Sequence, residues 1–171
     1  DTLSPVYSMM GARLNQQEIV KANNNIIVKD LATFYFMKAI HKLTGYNKKE
    51  CFFLPSSGPA SMPMIINILI GWGLEYIVLN FGNEEEKFIH YKLRKELFEN
   101  NVNLAEHQLI FVKDFTDVED LFSTIDFKKH IVNVREGITV SNSEFLRDNN
   151  HSRAILASGF LQKVNHKEIT L

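Results

Sequence analysis

Four short apolar runs, each followed by a helix-forming stretch, constrain this chain more than any other feature. They are "NIIVK" (25–29), "CFFLP" (51–55), "LEYIVLN" (74–80) and "QLIFVKD" (108–114). Each is nearly continuous in apolar residues, which suits a strand buried on both faces. The stretches between them carry helical spacing. "LATFYFMKAIHKLTG" (31–45) stops at Gly45, a C-cap residue. "SSGPASMPMIINILIGWG" (56–73) closes on Gly71 and Gly73, with Pro59 and Pro63 in or just before its first turn. "NEEEKFIHYKLRKELFEN" (83–100) places acids first and bases later, as the helix dipole favours. "DVEDLFSTIDFKKHIV" (117–132) reads as helical, and "SEFLRDNNHSRAILASGFLQKV" (143–164) holds at least one more helix, starting near His151. Strands alternating with helices across short loops predict an α/β fold. Its sheet is Rossmann-like, mostly parallel, of about four strands, with helices on both faces and further helices at the C-terminal end.

With 171 residues the chain is expected to form a single domain. Residues 1–24 read as a helical lead-in, with Leu14, Ile19 and Val20 facing inward, and residues 115–171 as a helical extension. Nineteen bases against twenty acids give a net charge of −1, so no global field draws the chain to nucleic acid. Cys51 is the only cysteine, which excludes an intrachain disulfide, and its apolar neighbours mark it as a small core residue. Residues 1–10 lack the basic start and apolar core of a signal peptide, so none is expected here. The apolar stretch from Met62 to Leu79 is interrupted by Pro63, Asn67, Gly71, Gly73 and Glu75, so it reads as a buried helix and a strand rather than a membrane span. The first residue is Asp1 rather than Met, and a fragment of a longer cytoplasmic protein is the expectation.

Few motifs carry chemistry. Ser56-Ser57-Gly58 opens a helix with free amides, which suits an anion, but the Lys of a Walker loop and the three glycines of a dinucleotide fingerprint are missing. Six histidines are scattered without metal-ligand spacing and read mainly as surface residues. Glu84-Glu85-Glu86 and Glu119-Asp120 read as acidic helix starts, and Lys92, Arg94 and Lys95 as a solvated helix face. The third apolar run ends in Asn80-Phe81-Gly82, at a strand end where a metal enzyme of this architecture would place Asp.

The order of these pieces resembles a Toprim domain, specifically that of the OLD (overcoming lysogenization defect) family of ATPase-nucleases. "NNIIVKDLATFYFMKAI" is similar to the opening strand and helix, and "FFLPSSGPASMPMIINILIGWGLEYIVLNFGNEEE" to the next strand, Pro-Ser-x-Gly turn, helix and strand. "DVEDLFSTIDFKKHI" and "HSRAILASGFLQKV" are similar to the later segments, and the likeness spans about residues 12–165. The resemblance implies an ATPase domain elsewhere in the same full-length protein as partner. It also implies contact with DNA, pairing with a second copy, and no membrane.

The family's metal-holding carboxylates do not carry over. Lys29 stands at the position of the first-strand Glu, with Asp30 in place of the next Gly and Thr33 at the following acid; the D-x-D pair is Asn80 and Gly82. Magnesium is anchored by carboxylates, and two-metal chemistry needs several of them. A lysine about 4 Å from a cation adds on the order of 4 kcal/mol of repulsion per unit charge at an effective dielectric near 20. The expectation is therefore a catalytically degenerate domain without metal or other cofactor, serving scaffolding, dimerisation or nucleic-acid docking. Lys29 would then neutralise leftover acids such as Asp30, Glu119 or Asp120. Two alternatives stay open. One is an active Mg²⁺- or Mn²⁺-dependent endonuclease using Asp30, Glu84, Asp114, Glu119 or Asp120 as substitute acids. The other is an anion- or small-ligand-binding domain using the turn at Ser56, Ser57 and Gly58.

Overall fold

The computed structural model describes residues 20–21, 23–45, 50–99, 101–134 and 139–166. Four parallel strands form one sheet: β1 (Asn25–Val28), β2 (Phe52–Pro55), β3 (Tyr76–Phe81) and β4 (Leu109–Val112), in the order β2-β1-β3-β4. The expected α/β architecture is observed. The helical lead-in expected over 1–24 lies almost wholly outside the described residues.

Side-chain alternation along the strands builds two cores. On one face, Ile27, Leu54, Tyr76, Val78 and Leu109 pack under α2 (Met62–Gly71), α3 (Glu84–Phe98) and α4 (Val102–Gln108). On the other, Val28, Phe53 and Phe81 meet α1 (Leu31–Thr44) and the C-terminal segments. Those segments are a 3₁₀ turn (Val118–Leu121), one helical turn α5 (Thr124–Asp126) running into a π-helical stretch (Phe127–Val132), then α6 (Asn142–Asp148) and α7 (Arg153–Asn165). Phe36 of α1 joins Phe122, Phe127 and Phe160 in an aromatic cluster with ring centroids 5.5–6.3 Å apart, which fastens α7 to α1.

Local signals explain most boundaries. Asp30 caps α1 by accepting from the Thr33 amide at 2.7 Å, and Gly45 ends that helix with φ +60°, a conformation glycine adopts without strain. Helix α4 was not expected from sequence. It starts where Asn101 accepts from the Leu104 amide, and its seven residues are too few for a clear periodicity. The continuous helix expected over 117–132 is broken at Phe122, whose extended backbone lets Ser123 cap a new start. The C-terminal stretch divides into two helices because Asn150, with φ +55°, turns the chain between them. Among the described residues, no helix is long and apolar enough to cross a membrane.

Helix α1 leads from β1 outward to β2, whereas α2 leads from β2 back across to β3. Strand order therefore reverses between β1 and β3, and the carboxyl ends of those strands flank the crevice where open α/β sheets hold ligands.

Candidate functional site

Lys29 directly follows β1 and is buried. Its ammonium lies 2.5 Å from Asp117 Oδ1 and 3.1 Å from Glu86 Oε1. Glu86 is fully buried at the start of α3, where an Asn83-x-x-Glu86 capping arrangement fixes it. The Asn83 side chain accepts from the Glu86 amide at 2.9 Å and donates to Glu86 Oε1 at 2.6 Å, while the Phe81 amide donates to Oε2 at 2.8 Å. Asp117 caps the 3₁₀ turn and so aims its carboxylate back at β1.

Arg153, the first residue of α7, completes the cluster. Its Nε and Nη2 donate to the two oxygens of Glu119 at 2.5 and 3.0 Å. Nη1 donates to Asp30 at 2.9 Å, and Nη2 also reaches Asp117 at 2.9 Å. Two cations thus hold four carboxylates at the end of the sheet. Burial works against the Lys29 charge, but Asp117 and Glu86 outweigh both that cost and the repulsion of Arg153, and its pKa is raised. Burial likewise opposes the Arg153 charge, and Glu119, Asp117 and Asp30 reverse the balance to hold it protonated. Burial pushes Glu119 above the usual carboxylate range while Arg153 pulls the other way. The two-pronged Arg153 contact is the geometry of an ionised carboxylate. A cleft of about 560 Å³ opens over Lys29, Asp117 and Arg153, with Asn83, Ser143 and His151 on its walls.

The cluster differs in membership from the sequence expectation. Lys29 neutralises Asp117 and Glu86, not Asp30, Glu119 or Asp120. Asp30 and Glu119 do belong, through Arg153. Asp120 instead accepts from the Ser143 amide and hydroxyl and from the Asp117 amide, joining α6 to the 3₁₀ turn. Glu84 points to solvent beside Lys87, and Asp114 is exposed in the loop after β4, so neither joins the cluster. Thr33 is buried and donates its hydroxyl to Asp30 at 2.8 Å.

Asn80 does not line the cleft. It shares the strand face of Tyr76 and Val78, is fully buried, and donates to Met62 Sδ at 3.6 Å. Gly82 has a steric reason. A Cβ built there would lie 2.7 Å from the Lys113 carbonyl oxygen and 3.0 Å from that of Phe115, while the Gly82 amide donates to Phe115 O at 2.8 Å. Gly82→Asp is therefore expected to lose about 1–3 kcal/mol by overpacking against backbone. Urea unfolding of the variant beside the wild type measures it, and an unchanged midpoint would refute the steric account.

The Ser56–Gly58 turn uses its polar groups internally. Ser56 Oγ contacts the Lys29 and Gly58 carbonyls, the Ser57 amide donates to Ser61 Oγ, and that hydroxyl donates to Gly58 O. Cys51 is half-buried. Against the expectation that most histidines lie at the surface, His90 is buried on α3 and stacked on Phe111 with centroids 4.8 Å apart. Burial and the Arg94 charge lower its pKa.

Among the described residues, no three His, Cys, Asp or Glu side chains converge into a set able to hold a metal ion. The carboxylates that do gather spend their oxygens on Lys29 and Arg153, so the residues present do not fit a divalent cation. Sequence reasoning missed Glu86, Asp117 and Arg153 as members. Two of them carried a signal: Glu86 sits at capping-box spacing from Asn83, and Arg153 is a base in a first helical turn, against the dipole. Comparison with protein-family models, with curated proteins and with solved structures finds no match for this chain.

Proposed function

We propose that this chain is a catalytically inactive α/β domain of Toprim type, working as a docking or dimerisation module within an OLD-type ATPase-nuclease. One observation carries the reading. The Lys29 ammonium lies between Glu86 and Asp117 at the ligand crevice of the sheet, where a metal-dependent nuclease would need those oxygens for its ions. The all-parallel sheet and the sequential order of the pieces support the ancestry. Lys29 and Arg153 offset two of the four carboxylate charges and engage all four carboxylates from within the chain, without an exchangeable ion.

The active-nuclease alternative draws on Asp30 and Glu119, which do reach one cluster, but both are bound to Arg153. Two measurements separate the readings: Mn²⁺ titration followed by the electron paramagnetic resonance of free ion, and nicking of supercoiled plasmid with Mg²⁺ or Mn²⁺. The expected result is no saturable uptake at millimolar Mn²⁺ and no nicking. Metal-dependent nicking that disappears in a folded Asp30→Ala variant would overturn the proposal.

A further inference from the structure

Helix α3 buries Glu86, Ile89, His90, Leu93 and Phe98 and turns two aromatic rings to solvent. Phe88 is 68% exposed and Tyr91 56% exposed. They stand three residues apart, so they are neighbours on one helical face. Glu84 lies four residues before Phe88, and Lys95 four residues after Tyr91, which extends the same stripe by a turn in each direction. Glu84, Phe88, Tyr91 and Lys95 therefore form a line about 16 Å long, at about 1.5 Å per residue.

This line reads the same in both directions, with its charge inverted. A two-fold axis crossing α3 between Ile89 and His90 would set Phe88 against Tyr91 of a second copy and Glu84 against its Lys95. On one flank of the stripe, Glu85 comes within two positions of register of the second copy's Lys92. On the other flank Lys87 and Arg94 of the two copies approach as like charges, which weakens the contact. An unrelated partner would have no need of a pattern symmetric about its own midpoint, whereas an isologous contact requires it.

We propose that two copies of this chain pair antiparallel through α3, in a contact centred on Phe88 and Tyr91 and closed at each end by Glu84 and Lys95. This goes beyond the docking role above and does not depend on the Toprim ancestry. Fully covered aromatic side chains bury about 150–250 Å² each. Four of them fall short of the roughly 1,200–2,000 Å² of a stable interface, so the dimer is a weak and reversible one.

Sedimentation velocity of the full chain over two decades of concentration tests it. The expected result is a sedimentation coefficient that rises with concentration and a Phe88→Glu variant whose coefficient stays flat. E84K and K95E each set like charges at both ends of the contact and should weaken association about tenfold, the scale of two reversed surface pairs. Mixing E84K with K95E restores opposite charges at both ends and should recover the lost dimer. Glu84 and Lys95 are exposed, so these variants keep the fold, which circular dichroism verifies. A chain that remains monomeric throughout, or a dimer indifferent to the charge reversals and to their mixing, would overturn the pairing. Neither outcome bears on metal uptake, which tests the functional reading separately.

Discussion

Arg153→Ala is expected to destabilise the fold by about 3–5 kcal/mol, the cost of leaving buried charge without its partner. The reason lies in what stays behind. Glu119 is fully buried and receives both of its side-chain bonds from Arg153, while Asp30 and Asp117 each lose a guanidinium donor. Three carboxylates would then face one another, with Lys29 as their remaining ion-pair partner among the described residues. Arg153→Lys should recover part of the loss, because it restores the charge but not the planar fork that serves three acceptors at once. Guanidinium unfolding of the three proteins gives the order wild type, Arg153→Lys, Arg153→Ala. A loss below about 1 kcal/mol in the alanine variant would put these contacts in the class of surface ion pairs and remove them from any structural role.

Lys29→Met is expected to cost about 3 kcal/mol, at the low end for breaking a buried pair, because Glu86 keeps the Phe81 amide and the Asn83 side chain as donors. The pH dependence has a definite sign. The folded-state pKa of Lys29 is raised above its ordinary 10.5, so its stabilisation is complete below that value and is lost as pH rises through the folded pKa. The wild type should therefore lose stability on the alkaline side more steeply than Lys29→Met. Melting temperatures of both proteins between pH 8 and 12 on the order of half-unit steps would show the two curves converging. Parallel curves would mean that the ammonium contributes nothing in the folded state beyond its exposed value.

The sheet was legible because buried parallel strands leave a strong local mark. "NIIV", "FFLP" and "YIVLNF" stand out as apolar runs whatever surrounds them. The cap at Gly45 was equally local, whereas Asp30, read from sequence only as a possible site acid, is also the N-cap of α1. The site was not local. Lys29 and Arg153 are 124 positions apart in sequence, and neither residue carries a mark of the other. Asp117 and Asp120 share one capping box, yet one turns to Lys29 and the other to Ser143, a choice made by the packing of α6 and α7. Asn80 shows a further limit. Its position at a strand end pointed to the crevice, but its buried side chain packs down against Met62 of α2 instead of lining the cleft. From sequence Gly82 stands out for the carboxylate it lacks, while the carbonyl of Lys113 leaves no room there for any side chain.

The docking of α7 on α1 closes the cluster with a residue made late in synthesis. Asp30 meets its guanidinium only after 123 further residues have emerged, so a growing chain carries uncompensated acids until its last described helix arrives. Closing so long a loop is slow and entropically costly. Nascent chains halted short of Arg153 should consequently stay protease-sensitive even with every strand already synthesised.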